Sequence, residues 1–220
     1  MEAPKLILLN GPRLCGKNAA VAHIKEVMSV PIIDSRCKDH LFTLTQQFFC
    51  LTESEFYSHY NDRETKETPK KVFAVSARAY NALAPIIGTP NINPGLLDQD
   101  VKLSVREALI YVSEVICKPT FGREYLGTAR ANTLSLLSSG ECAVDDSCGF
   151  DDEIPPTIRQ LGMGNILLIR IHGRGSFDGD SRRFISDGVV TNTIDINNDG
   201  TEQSFLQRVG EVAVTFYDKG

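Results

Sequence analysis

A mainly parallel α/β architecture, a central sheet of about five strands between helical layers, is the fold class this 220-residue chain predicts. Three observations carry it. The chain opens on a short apolar run that turns through a glycine-rich loop into a helical pattern. Strand-like and helix-like segments then alternate, as they do when crossover helices cover both faces of a sheet. Finally, NILLIRIH (165–172) is apolar enough to be a strand buried on both faces.

Residues 5–9 form the first strand, and Asn10 and Gly11 the tight turn that ends it. Ala19, Ala20, Val21, Ile24, Val27 and Met28 then recur at helical spacing. VPIID (30–34) reads as a second buried strand, closed by Asp34, Ser35 and Arg36. Leu41, Leu44, Phe48, Phe49 and Leu51 again approach helical spacing, whereas 53–68 is polar and charge-rich. VFAVSARAYNALA (72–84) suggests a short helix, and the prolines and asparagines of 86–95 a loop. Ser104 and Glu107 make a capping box for an amphipathic helix over 104–117. A further helix is expected over 121–140, ending at Gly140, then a short strand at 141–146. DDEIPPTIRQLG predicts a helix with prolines in its first turn and Gly162 at its end. After the strand at 165–172 come a Gly/Arg/Asp-rich loop (173–188), a last strand (191–197) and a closing helix (201–217). Strand order is not readable from this pattern.

The opening loop carries the chemistry. Gly11 to Lys17 fit GxxxxGK, placed directly after a strand and before a helix. In that setting the loop amides and the positive helix end hold polyphosphate oxygens. Gly16 allows close backbone approach, Lys17 neutralises phosphate charge, and Asn18 and Ala19 open the helix. The position after the lysine ordinarily carries the hydroxyl that binds Mg²⁺; Asn18 offers an amide oxygen instead, a weaker ligand. Cys15, inside the loop, is either a reactive thiolate or a small filler.

Composition narrows the class. A formal net charge of −5 argues against a nucleic-acid partner. No apolar stretch approaches the ~20 residues of a membrane span, and residues 1–4 lack the basic start of a signal peptide, so a cytoplasmic protein is expected. Six scattered cysteines and four histidines show no metal-ligand or disulfide spacing. The positive charge is local instead: Arg170, Arg174, Arg182 and Arg183 cluster, which suits a small anionic ligand.

Several segments in order resemble the deoxynucleoside monophosphate kinases of tailed bacteriophages. They are LILLNGPRLCGKN, NDRET (61–65), SVREAL (104–109), GREYLG (122–127), VDDSCGFDDE (144–153), LLIRIHGRG (167–175) with DSR (180–182), and NDGTEQSFLQ (198–207). Residues 66–103 match nothing in that family. The resemblance implies a phosphate-loop kinase fold, with a core over about 1–52 and 141–220, an acceptor-binding helical region over 53–140 and a lid at 173–188. It implies transfer of the ATP γ-phosphate, with Mg²⁺, to a deoxynucleoside 5′-monophosphate in the host cytoplasm, and it allows a homodimer. Under it Lys17, Arg13, Arg174 and Arg182 would serve transfer, and Asp145 or Asp146 would anchor Mg²⁺ through water. Arg106 and Arg123 would grip the acceptor phosphate, with Asp62, Arg63 and Glu64, and more weakly Arg36 and Lys38, in the same pocket. Asn198 would contact adenine, or else simply form an Asn-Asp-Gly turn.

Plainer readings stand beside these. Arg106 suits a solvated helix face, 62–64 an exposed loop, and Asp145 with Asp146 a helix cap. Two departures from the family pattern matter: Asn18, and the absence of an arginine in VDDSCGF. Both leave open a non-catalytic nucleotide-binding protein, and a kinase of another small molecule is a further alternative. No NKxD motif supports a signalling GTPase.

Overall fold

The computed structural model describes residues 4–62, 66–96, 99–178 and 180–219. Strand β1 (Lys5–Asn10) is buried along its whole length, and helix α1 (Lys17–Val27) follows the glycine-rich loop. β2 (Ile32–Asp34) and α2 (Cys37–Phe48) come next where the sequence pattern predicts, but β2, expected as a buried strand, is a short edge strand that is only partly buried.

The polar, charge-rich stretch that follows opens with α3 (Glu53–Asn61). A capping box explains it: the Glu55 amide donates to the Thr52 hydroxyl and the Thr52 amide to the Glu55 carboxylate. Phe56 is fully buried, and Tyr57 and Tyr60 pack beside it on the same core, so three aromatic side chains fix an otherwise polar helix. The expected helix at 72–84 is in fact strand β3 (Lys70–Ser76) followed by α4 (Ala77–Ile87). Phe73 and Val75 are buried alternately, the period-two mark of a strand, and the Ser76 hydroxyl then accepts from the Ala79 amide to start the helix. β4 (Asp100–Leu103), absent from the sequence reading, pairs antiparallel with β3.

Ser104 and Glu107 form the predicted capping box on α5 (Val105–Ile110). The helix widens to π geometry over Tyr111–Cys117 and ends in α6 (Lys118–Phe121). Gly122, at φ 94°, breaks the next expected helix, so α7 spans only Tyr125–Leu134 and stops short of Gly140. β5 (Cys142–Asp145), α8 (Pro155–Leu161, with Gly162 beyond its end), β6 (Ile166–His172), β7 (Asn192–Asn197) and α9 (Glu202–Asp218) follow as predicted.

The chain divides into two compact units, Met1–Lys38 with Leu126–Gly220, and Asp39–Tyr125. In the first, five strands form a sheet in the order β2-β5-β1-β6-β7, every recorded pair parallel. This is a three-layer α/β fold built on a parallel five-stranded sheet. Alternate residues of β1 enter opposite layers. Ile7 and Leu9 pack with Ile24, Phe205 and Val209, while Leu6 and Leu8 pack with Leu134, Ile154 and Leu161. Each such fully buried aliphatic side chain contributes about 1.5–3 kcal/mol of hydrophobic stabilisation. The second unit has its own core, in which Phe56, Phe73, Leu83, Leu103 and Val105 are fully buried. Among the described residues no helix is long and apolar enough to cross a membrane.

Candidate functional site

β1 delivers the chain to the carboxyl edge of the sheet at its centre, where ligands of such sheets bind. Gly11 is required by space: a Cβ there would meet the Cys15 sulfur at 2.7 Å and the Ile171 carbonyl at 2.8 Å. Gly16 has φ 105° and a Cβ would meet the Asn198 amide nitrogen at 2.8 Å. Leu14 also adopts positive φ (64°) and is 90% exposed at the apex of the loop.

Helix α1 has no side-chain cap and no acid in its first turn, which leaves its positive end uncompensated. The Lys17 ammonium is folded onto the loop, donating to the carbonyls of Gly11 and Pro12 at 2.6 Å each, with the Cys15 sulfur at 3.5 Å. Burial pushes its pKa below the ordinary lysine value, and the positive charge of Arg182 acts in the same direction, against the nearby Cys15. Asn18 is exposed and Ala19 half-buried at the start of the helix.

The Asn198 side chain is buried and donates to the Cys15 carbonyl at 2.9 Å, which braces the loop from beneath. Asp145 is held by partners on both oxygens. One carboxylate oxygen receives Arg130, the other the Ser147 amide and hydroxyl, and the side chain is fully shielded. Its neighbour Asp146 pairs with Lys38 at 3.0 Å and is the acid nearer solvent. Among the described residues no group of three or more His, Cys, Asp or Glu is arranged to hold a metal ion.

The segment 173–188 is strapped to the loop at both ends. Arg13 bridges Ser176, and Gly175 lies so close that a Cβ would clash with the Arg13 carbonyl. At the other end the Asn10 carboxamide donates to the Arg183 carbonyl and accepts from the Ile185 amide. The arginine cluster divides into separate tasks. Arg170 is committed to Asp195 and Asp187, and Arg174 donates to the Gly200 carbonyl. Arg182 grips the Asp180 carboxylate through two nitrogens, with Gly149 packed against its stem. Arg183, largely exposed, reaches Asp151 at 3.4 Å.

The expected acceptor residues fall in both units. Arg36 and Lys38 belong to the first, half-buried beyond β2. Asp62, at the end of α3, Arg106 on α5, and exposed Arg123 after Gly122 belong to the second. Arg106 lies 3.9 Å from Glu67. Arg63 and Glu64 lie outside the described residues.

Two residues that matter to this geometry were not singled out from the sequence. Asn10 is the polar end of an apolar strand, and Arg130 shares the buried stripe of α7 with Leu126, Gly127, Ala131 and Leu134. An arginine at helical spacing within an apolar stripe is the signal that would have found the second.

No family model matches the chain, and no curated protein matches it. Among solved structures it is similar to a gluconokinase from Sinorhizobium meliloti 1021, at 11% identity and TM-score 0.42, over 100% of this chain and 94% of the other.

Proposed function

We propose that the chain is an ATP-dependent kinase that transfers the γ-phosphate to a deoxynucleoside 5′-monophosphate. The observation that carries the phosphotransfer reading is Lys17, parked on the Gly11 and Pro12 carbonyls beside an uncapped helix end, with Arg182 close enough to influence its proton affinity. Phosphoryl transfer asks a protein chiefly for positioning and charge neutralisation, and these groups supply both. Anionic oxygens entering the loop would take the Lys17 ammonium from the two carbonyls. Arg182 would exchange its Asp180 partner for the transferring phosphoryl group, and the strapped segment would keep water away.

Mg²⁺ suits this donor set as an ion held mostly by triphosphate oxygens and water, with Asp146 and the Asn18 amide beyond its waters. When bound it would offset charge on the β- and γ-phosphates. Arg106, Arg123 and Asp62 are the acceptor-side candidates, and the ordered resemblance to phage enzymes is what favours a deoxynucleoside monophosphate there.

The exposed Asn18 and the fully engaged Asp145 favour a second reading, a nucleotide-binding protein that does not turn ATP over. Turnover assays with Mg·ATP and the four deoxynucleoside monophosphates, with gluconate and other polyols as further acceptors, separate the readings. A diphosphate product supports the kinase. Product from a polyol alone replaces the acceptor, and ATP binding without product supports the second reading.

A further inference from the structure

Asn10 is fully shielded from solvent at the last position of β1, one residue before the phosphate loop. A polar side chain in that setting must meet its hydrogen-bond partners inside the protein. It does so on three remote backbone groups. Nδ2 donates to the carbonyls of Cys148 (3.1 Å) and Arg183 (3.0 Å), and Oδ1 accepts from the amide of Ile185 (2.8 Å). Both amide hydrogens and the oxygen are thus employed.

Those partners are in the turn after β5 and the return arm of the strapped segment. The Arg183 amide donates to the Gly149 carbonyl, and Gly149 is packed on the Arg182 stem, where a Cβ would lie 2.5 Å from that of Arg182. A single carboxamide therefore joins the start of the phosphate loop, the turn carrying Asp146, and the backbone carrying Arg182. Arg182 is also close enough to Lys17 for its charge to depress the lysine pKa.

Resting on the kinase reading above, we propose that Asn10 is a positioning residue that sets Arg182 at its working distance from the Lys17 cradle. It touches no reacting atom and acts through the backbone it holds. Because the cradle and Lys17 are built by Gly11, Gly16 and Asn198, loss of the Asn10 bonds weakens transfer far more than ATP binding.

The test is a double-mutant cycle on the full chain, with Asn10→Asp, Asn10→Ser, Arg182→Ala and each pair. Asn10→Asp keeps the shape but turns an oxygen toward two carbonyls; Asn10→Ser covers the case in which the buried charge prevents folding. Thermal unfolding identifies folded variants, titration gives ATP affinity, and steady-state assays give kcat and KM. The expected result is a kcat loss of about 10- to 100-fold at Asn10, ATP affinity within about threefold, and no further loss when Arg182→Ala is added. Hydrogen exchange should show the amides of 183–186 losing protection in the Asn10 variants. Multiplicative losses in the cycle, an unchanged kcat, or unchanged protection of 183–186 would overturn the proposal. A wild type that binds no ATP sinks the kinase reading instead, and the exchange result alone then decides whether Asn10 holds the segment.

Discussion

Arg130 donates to Asp145 in a place where both side chains have no solvent exposure. The guanidinium also donates to the Thr157 hydroxyl and the Glu153 carbonyl, and the Asp145 carboxylate fixes Ser147. The pair thus ties α7, the turn after β5 and α8 together within the first unit. Arg130→Met strands a buried carboxylate, and the expected loss is about 3–5 kcal/mol of unfolding free energy by chemical denaturation. A loss under about 1 kcal/mol would show that the pair does not hold this corner.

Lys17→Ala should reduce phosphoryl transfer at least about a hundredfold while leaving the melting temperature near wild type. The lysine makes its contacts with loop carbonyls and a thiol and anchors no core. Retained turnover would remove it from the assigned role.

Burial depresses the Lys17 pKa, and this gives a pH signature. The charged form binds phosphate, so ATP affinity is full below that pKa and falls as pH rises through it. The fall should come before the ordinary lysine value of about 10.4. Calorimetric titration across alkaline pH checks it, with Lys17→Ala losing this step.

Gly175 has φ 78°, and a Cβ there would lie 1.8 Å from the Arg13 carbonyl. Gly175→Ala must therefore push the strapped segment off the loop. The expected cost is about 1–3 kcal/mol of stability with weakened ATP binding, measured by unfolding and titration on the same preparation. An unchanged affinity would mean that the segment's docking on Arg13 is irrelevant to the nucleotide.

Asp195 accepts from Arg170 and lies against His172, and the Arg170 hydrogen bonds, ahead of other causes, hold its carboxyl below the usual range. Its depressed folded-state pKa means that the contribution is present above the unfolded-state value of about 3.9 and fades as acid protonates it below that. The side chain is 48% exposed, so screening keeps the effect small. Asp195→Asn should flatten the acid limb of a melting-temperature profile, and an unaltered limb would assign acid sensitivity elsewhere.

The parallel sheet was legible because its strands are continuous apolar runs, as buried parallel strands must be: LILL, CAVD and ILLIRI need no partner to be recognised. α3 and the β3–β4 pair were not, because polar composition hid the aromatic anchors of one, and Ser76 serves as both strand end and helix cap in the other. In the candidate site, the spacing of Gly11, Gly16 and Lys17 is visible in the chain itself because it lies within seven residues. The contacts of Asn10 and Arg130 and the buried orientation of Asn198 are not, since each depends on partners more than ten residues away. Sequence neighbours carry no record of such partners.

The central place of β1 has a consequence for biosynthesis. Both of its neighbouring strands, β5 and β6, come from beyond the inserted 39–125 unit. At a ribosomal rate of about 5–20 residues per second, roughly seven to twenty-seven seconds pass between the emergence of LILLN and that of its first partner. Through that interval an apolar β-forming stretch waits unpaired in the nascent polypeptide, a natural client for a holdase chaperone. Substitutions that slow docking of β5 will consequently be seen first as poor soluble yield, with specific activity of the surviving molecules intact.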